Sequence, residues 1–158
     1  MGQHEIEDGS DELARHPAHP GAALQQALRL DQGYAAADAW LARAHNGLAA
    51  EILSGAEQAQ EYQKARVAAE KALALAPSLS IAHSAYGELL FNADFNWQRA
   101  KSEYQRALQL SPEDGEAMFH LGMASATLGQ PSQGVSLTRR ALAARGIAVI
   151  AFGDPDVA

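Results

Sequence analysis

The stretch Trp97–Pro112, WQRAKSEYQRALQLSP, decides which fold this sequence predicts. Apolar side chains recur in it at steps of three and four, which places them on one face of a helix, with polar and charged residues on the other. The apolar set is Ala100, Tyr104, Ala107, Leu108 and Leu110. The stretch therefore predicts an amphipathic helix that ends at a Ser-Pro pair.

The same pattern recurs at a spacing of 34 to 35 residues. Ala72 lies 35 positions before Ala107, and Ala141 lies 34 positions after it. Leucines follow all three alanines, and Pro77 repeats the terminating proline of the central stretch. A period of this length is typical of a helical repeat array, in which each helix pair buries its apolar face only against its neighbours.

Local signals predict where the other helices begin. Ser54, followed three residues later by Glu57, predicts a capping box at the start of one helix. Ser111 is predicted to cap the helix after the central stretch, with Pro112 at its first helical position. Pro131 is predicted to open the last helix.

Composition limits the possible partners. The 158 residues are 47% hydrophobic, which is enough apolar material for one folded domain. A further 20% are charged, and the formal net charge is −7. Bases alternate with acids along the chain, so a nucleic acid partner is not expected, because counterion release needs a row of Lys and Arg. The sequence contains no cysteine, no secretory signal and no apolar run long enough for a membrane helix. We expect a soluble, cytoplasmic protein without membrane association.

The repeats give an expected domain organisation. Residues 1–20 are acidic, contain two prolines and are expected to form a disordered tail. The apolar segment at 147–158 is expected to follow the array as a stub. Between them the array is divided into a half repeat at 21–32, a long repeat at 35–77, and repeats at 78–112 and 113–146.

The residues at fixed positions of these units resemble the tetratricopeptide repeat. Tyr86-Gly87 is the large-small pair of a first helix, and Ala100, Tyr104, Ala107 and Pro112 match the second helix and its end. The resemblance implies an all-α fold of antiparallel helix pairs stacked in a right-handed superhelix, an α-solenoid. It also implies close crossings at six small residues, namely Ala42, Gly87, Gly122, Ala65, Ala100 and Gly134.

The first repeat is longer than the others by an insertion of about eleven residues around Leu48 to Gln58. A long first repeat followed by the central stretch resembles the repeat arrays attached to bacterial nucleotide cyclases and winged-helix transcriptional regulators. One alternative is therefore that the chain is a regulatory or sensor segment of a larger bacterial signalling enzyme or transcription regulator.

The resemblance implies that the first helices line a concave groove, so their exposed positions are the candidates for binding. Large apolar side chains at such positions suit a groove for a peptide or protein segment. The predicted groove residues are Trp40, Arg43, Asn46, Glu88, Asn92, Phe119, His120 and Met123. For Arg43 and Glu88 an ion pair with each other is an equally good explanation.

Catalytic and metal-binding signals are missing from the sequence. It contains no phosphate-binding loop, no dinucleotide fingerprint, no HExxH and no GxSxG. The histidines of the tail lack a scaffold that would fix a metal site, so we expect no metal, no cofactor and no enzymatic activity. Some tetratricopeptide domains clamp a carboxylate with a set of Lys, Asn and Arg residues, and this sequence departs from that set. Glu88 would also repel a carboxylate at this position.

These observations predict a non-catalytic protein-protein interaction scaffold. The alternatives are the regulatory segment described above, a small-molecule sensor with a closed pocket around Trp40 and Phe119, and a self-association module. Self-association through the C-terminal edge is expected if the apolar stub at 147–158 leaves the last helix pair uncovered. The stub is otherwise expected to fold back on the last helix or to continue into a longer array.

Overall fold

The computed structural model describes residues 33–145, which form six α-helices. The predicted tail, half repeat and C-terminal stub lie outside the described residues. The helices are α1 (Ala35–Glu51), α2 (Gly55–Leu75), α3 (Ser80–Asn92), α4 (Trp97–Leu110), α5 (Gly115–Thr127) and α6 (Pro131–Ala144).

Consecutive helices form three antiparallel pairs, α1 with α2, α3 with α4, and α5 with α6. The pairs stack in chain order, since α3 packs on both α1 and α2, while α5 packs on α4 and on α3. One row of the array is therefore formed by the first helices α1, α3 and α5. We call the surface of this row the inner face.

The predicted insertion lengthens both helices of the first pair. Helix α1 has 17 residues against 13 in α3, and α2 has 21 against 14 in α4. These extra helical turns account for the insertion without a long loop. The first pair thus extends beyond the others while its small residues keep the common crossing.

The three pairs cross closely at small residues, as predicted. Ala42 and Ala65 of the first pair are fully buried, as is Ala100 of the second. A Cβ on Gly87 would lie 2.7 Å from the Tyr104 ring. A Cβ on Gly122 would lie 2.9 Å from the Gly134 carbonyl oxygen, and one on Gly134 would lie 2.8 Å from the Gly122 carbonyl oxygen. The third pair therefore crosses with backbone against backbone.

The starts of α2 and α5 differ from what was predicted. Ser54 is the N-cap residue of α2, but its side chain makes no capping bond, and Gly55 after it has a left-handed φ of 63°. Ser111 ends α4 instead of starting α5. Asp114 caps α5, its Oδ1 accepting hydrogen bonds of 3.0 Å from two backbone N–H groups. Pro131 opens α6 as predicted.

Candidate functional site

All eight predicted groove residues lie on the first helices, but they differ in exposure. Trp40, Phe119 and Met123 are exposed large side chains, at 46%, 38% and 40%. Arg43, Asn92 and His120 are half-buried. Asn46 and Glu88 are 3% and 6% exposed, so the expectation that they are exposed is wrong for these two. Among the described residues the open part of the inner face is therefore mainly apolar.

Arg43 joins the first and last helix pairs across the inner face. From α1 its two terminal nitrogens donate to both carboxylate oxygens of Glu116 on α5, one of them at 2.8 Å. Its Nε also lies 2.9 Å from Glu88 Oε1 on α3, a distance for an ion pair without the direction of a hydrogen bond. One guanidinium thus faces a carboxylate from each of the other two first helices.

The bidentate pair is held in its charged form. The hydrogen bonds from Arg43 keep the pKa of Glu116 below its usual value, although burial acts in the opposite direction. Burial by itself would lower the pKa of Arg43, but Glu116 and Glu88 outweigh this effect and raise it. Both groups are ionised at neutral pH, and their contact belongs to the stronger class of charge-assisted, two-bond pairs.

Glu88 and His120 have opposite pKa shifts with one main cause. Burial raises the pKa of Glu88 to about 7, and the charge of Arg43 offsets this rise only in part. Burial lowers the pKa of His120 to about 4, with Arg43 acting in the same direction. The two groups are neighbours, since His120 Nε2 lies 3.5 Å from Glu88 Oε1. Burial disfavours the charged form of each of them.

Aromatic contacts connect this polar cluster to the apolar surface. The Arg43 guanidinium lies over the Trp40 ring, 4.9 Å from its centroid. On the other side, the His120 ring stacks on Tyr104 and meets the edge of Phe119, with centroids 5.5 and 5.6 Å apart. A continuous chain of contacts therefore runs from Trp40 on α1 to Phe119 on α5.

We call the group formed by Arg43, Glu88, Glu116 and His120 the inner cluster. The ion pair of Arg43 with Glu88, one of the two explanations for these residues, is confirmed. The sequence did not predict Glu116 as the main partner of Arg43. No local pattern links residues that are 73 positions apart in sequence; only the stacking of the three pairs brings them together.

A small depression lies between α5 and α6, the last helix pair that the structure describes. It has a volume of about 90 Å³ and is lined by Gly115, Phe119, Ala141, Leu142 and Arg145. A larger, open and mostly apolar depression of about 420 Å³ lies between α1 and α2, beside Leu41 and Val67. The described residues therefore carry one depression on the first helix pair and another on the third.

Two kinds of site are missing from residues 33–145. Within this range no group of three or more His, Cys, Asp or Glu side chains is arranged to hold a metal ion. No helix in the same range is long and apolar enough to cross a membrane.

Comparison with known proteins yields structural neighbours only. No family model and no curated protein sequence matches the chain. The crystal structure of MamA matches with a TM-score of 0.56 and 16% identity, over 81% of this chain and 68% of that one. MamA from residue 41 to its end, from Desulfovibrio magneticus RS-1, matches with a TM-score of 0.57 and 16% identity, over 80% and 64%.

The fold is a tetratricopeptide-type α-solenoid. At 16% identity the likeness to MamA shows the fold alone, and this chain spans 64 to 68% of the length of these neighbours. The predicted link to nucleotide cyclases and winged-helix regulators is tested by none of these matches and stays a prediction.

Proposed function

We propose that this chain is a non-catalytic scaffold that binds a peptide or protein segment on the inner face of its solenoid. The observation that carries the proposal is the exposure of Trp40, Phe119 and Met123 on that face, connected through the inner cluster. Exposed aromatic and Met side chains are typical anchors of binding surfaces. The buried Asn46 and Glu88 then shape and charge the surface without touching the ligand.

Site-specific photocrosslinking tests this proposal. Benzoylphenylalanine would replace Met123 on the inner face or, as a control, Val135, which is exposed on α6. In a lysate of the source cell we expect discrete crosslinked products from position 123 and none in common with position 135. The Trp40→Ala/Phe119→Ala double variant should lose these products.

The matched control is a Val67→Ala/Val135→Ala double variant, which also removes two exposed apolar side chains but from second helices. It should crosslink from position 123 as the unsubstituted protein does. Both double variants would first be shown by circular dichroism to be folded. Equal crosslinking from positions 123 and 135, or equal loss in both double variants, would contradict binding on the inner face.

Self-association is the second candidate function. It is supported by the depression between α5 and α6, where the next helix pair of a longer array would stack. Light scattering on the purified chain would report the molar mass, with Leu142→Glu as the variant that charges the depression. A mass above that of one chain, returned to one chain by Leu142→Glu, is the result expected for self-association.

A further inference from the structure

We infer that the segment bound by the inner face carries a basic side chain next to apolar ones, with Glu116 receiving the cation and Phe119 and Met123 the apolar groups. This inference rests on the proposed function and adds the chemistry of the partner. It follows from the charges, exposures and spacing on α5.

The cation of the inner cluster is already engaged. The Arg43 side chain is 12% exposed, its terminal nitrogens bind Glu116, and its Nε faces Glu88. An incoming carboxylate would have to displace one of these acids from a half-buried pair, which costs the bonds that already exist there. The inner cluster is therefore unsuited to an acidic ligand.

The accessible charge in the cluster is negative. The Glu116 side chain is 37% exposed, three times as much as that of Arg43. Its other cation, Arg145, lies 4.0 Å away and is itself exposed, so this contact is weak and replaceable. A Lys or Arg of a ligand can occupy the same side of the carboxylate.

The neighbours of Glu116 add negative charge around the Arg43–Glu116 pair. Glu88 faces the same guanidinium, and its Oε1 accepts no hydrogen bond although the residue is buried. Asp114 adds a third carboxylate at the start of α5. His120 supplies no compensating charge at neutral pH, because burial keeps its ring neutral. The carboxylates of Glu116 and Asp114 balance the cations Arg43 and Arg145, and Glu88, whose pKa burial raises to about 7, adds a partial excess of negative charge.

Apolar contacts continue along the same helix. Phe119 and Met123 follow Glu116 by three and seven residues, which places Met123 about 10 Å further along the helix. Both are exposed, and the Trp40 ring is exposed on α1 across the inner face. Long basic side chains suit such a surface, because their methylene groups pack on apolar neighbours while the charged end reaches the carboxylate.

Three fluorescein-labelled peptides that share the same arrangement of apolar side chains test the inference. They differ at a single central position, which is Lys, Gln or Glu, and their binding is followed by fluorescence anisotropy. We expect the Lys peptide to bind about tenfold more tightly than the Gln peptide, and the Glu peptide to bind most weakly. The advantage of the Lys peptide should fall as salt is added.

Two protein variants assign the preference to one carboxylate. Glu116→Gln should bring the affinities of the Lys and Gln peptides together. Glu113→Gln, which removes an exposed acid three residues earlier, should keep the full preference. Phe119→Ala should weaken all three peptides by a similar factor.

Equal binding of the Lys and Gln peptides, a preference for the Glu peptide, or a preference that survives Glu116→Gln would overturn the inference. These outcomes leave binding on the inner face intact, provided Phe119→Ala still weakens the peptides. If no peptide binds, the inferred chemistry is wrong, and crosslinking from position 123 decides separately whether the inner face binds another partner.

Discussion

The crossings within the helix pairs and the inner cluster stabilise the same solenoid by different means. At the crossing of the third pair, Gly122 and Gly134 bring two backbones together with no space for a methyl group. In the inner cluster, half-buried charges of three helices meet around Arg43, and one buried carboxylate oxygen still lacks a hydrogen bond. The crossing depends on shape, and the cluster depends on charge.

The crossings and the inner cluster therefore contribute different properties to the protein. Close packing of small residues fixes how two helices of one pair cross, and it leaves no side chain free for a ligand. The cluster joins α1 to α5, so it bears on how the three helix pairs stack as well as on the chemistry of their surface. We therefore expect substitutions at the crossing to change stability, and substitutions in the cluster to change the response to pH and to ligands.

Gly122→Ala is expected to have the largest effect, because the new methyl group would meet the Gly134 backbone oxygen at 2.9 Å and the Thr138 hydroxyl at 2.8 Å. A backbone atom cannot move aside as a side chain can. We expect a loss of about 2 to 3 kcal/mol in the free energy of unfolding, a typical cost of overpacking. Urea denaturation followed by circular dichroism measures it.

Gly87→Ala is the matched comparison. Its methyl group would meet the ring of Tyr104 at 2.7 Å, and a ring can tilt where a backbone cannot. The loss should therefore be smaller than for Gly122→Ala. An equal or larger loss for Gly87→Ala would mean that the Tyr104 ring is held as rigidly as the backbone of the third pair.

The crossings could be predicted from sequence, and the inner cluster could not. The small residues at Ala42, Gly87 and Gly122 recur at one position of each unit, and a helix pair is a local structure, so their spacing carries the necessary information. The Arg43–Glu116 contact depends on how three pairs stack, which no short pattern specifies. The exposure of Trp40, Phe119 and Met123 followed from the repeat positions, whereas the burial of Asn46 and Glu88 did not.

The start of α5 shows a smaller failure of the same kind. Ser111 and Asp114 are both good N-cap residues, and Pro112 favoured the earlier start. In the structure residues 111–114 form a turn, in which the Asp114 N–H bonds to the Ser111 carbonyl oxygen at 3.2 Å. Two competing caps within four residues left the boundary open to error.

The inner cluster predicts a pH dependence that is concealed in the unsubstituted protein. His120 has its pKa lowered from 6.5 to about 4, so stability should rise with pH across that interval. Glu88 has its pKa raised from 4.5 to about 7, so stability should fall with pH across that one. The two contributions oppose each other wherever the intervals overlap.

Single substitutions should separate the two contributions. In His120→Gln the free energy of unfolding should fall by about 1 kcal/mol per pH unit relative to the unsubstituted protein between pH 4 and 6.5, because the contribution of His120 is removed. In Glu88→Gln it should rise by a similar amount relative to the unsubstituted protein between pH 4.5 and 7, because the contribution of Glu88 is removed. Urea denaturation at a series of pH values measures both, with Glu113→Gln as the control at an exposed acid. Profiles parallel to that of the unsubstituted protein would show that neither group titrates abnormally.

Gly47→Ala gives the smallest effect and the opposite sign. Gly47 lies inside α1, and a Cβ there would meet no atom within 4 Å, so neither a crossing nor the inner cluster restrains it. Alanine should therefore add only its helix preference, about 0.5 to 1 kcal/mol in the free energy of unfolding. That value also measures what Gly122→Ala gains in helix propensity, so the cost of its clash is the observed loss plus this gain. A destabilising Gly47→Ala would instead reveal a close contact on α1, outside the crossings, that excludes a methyl group.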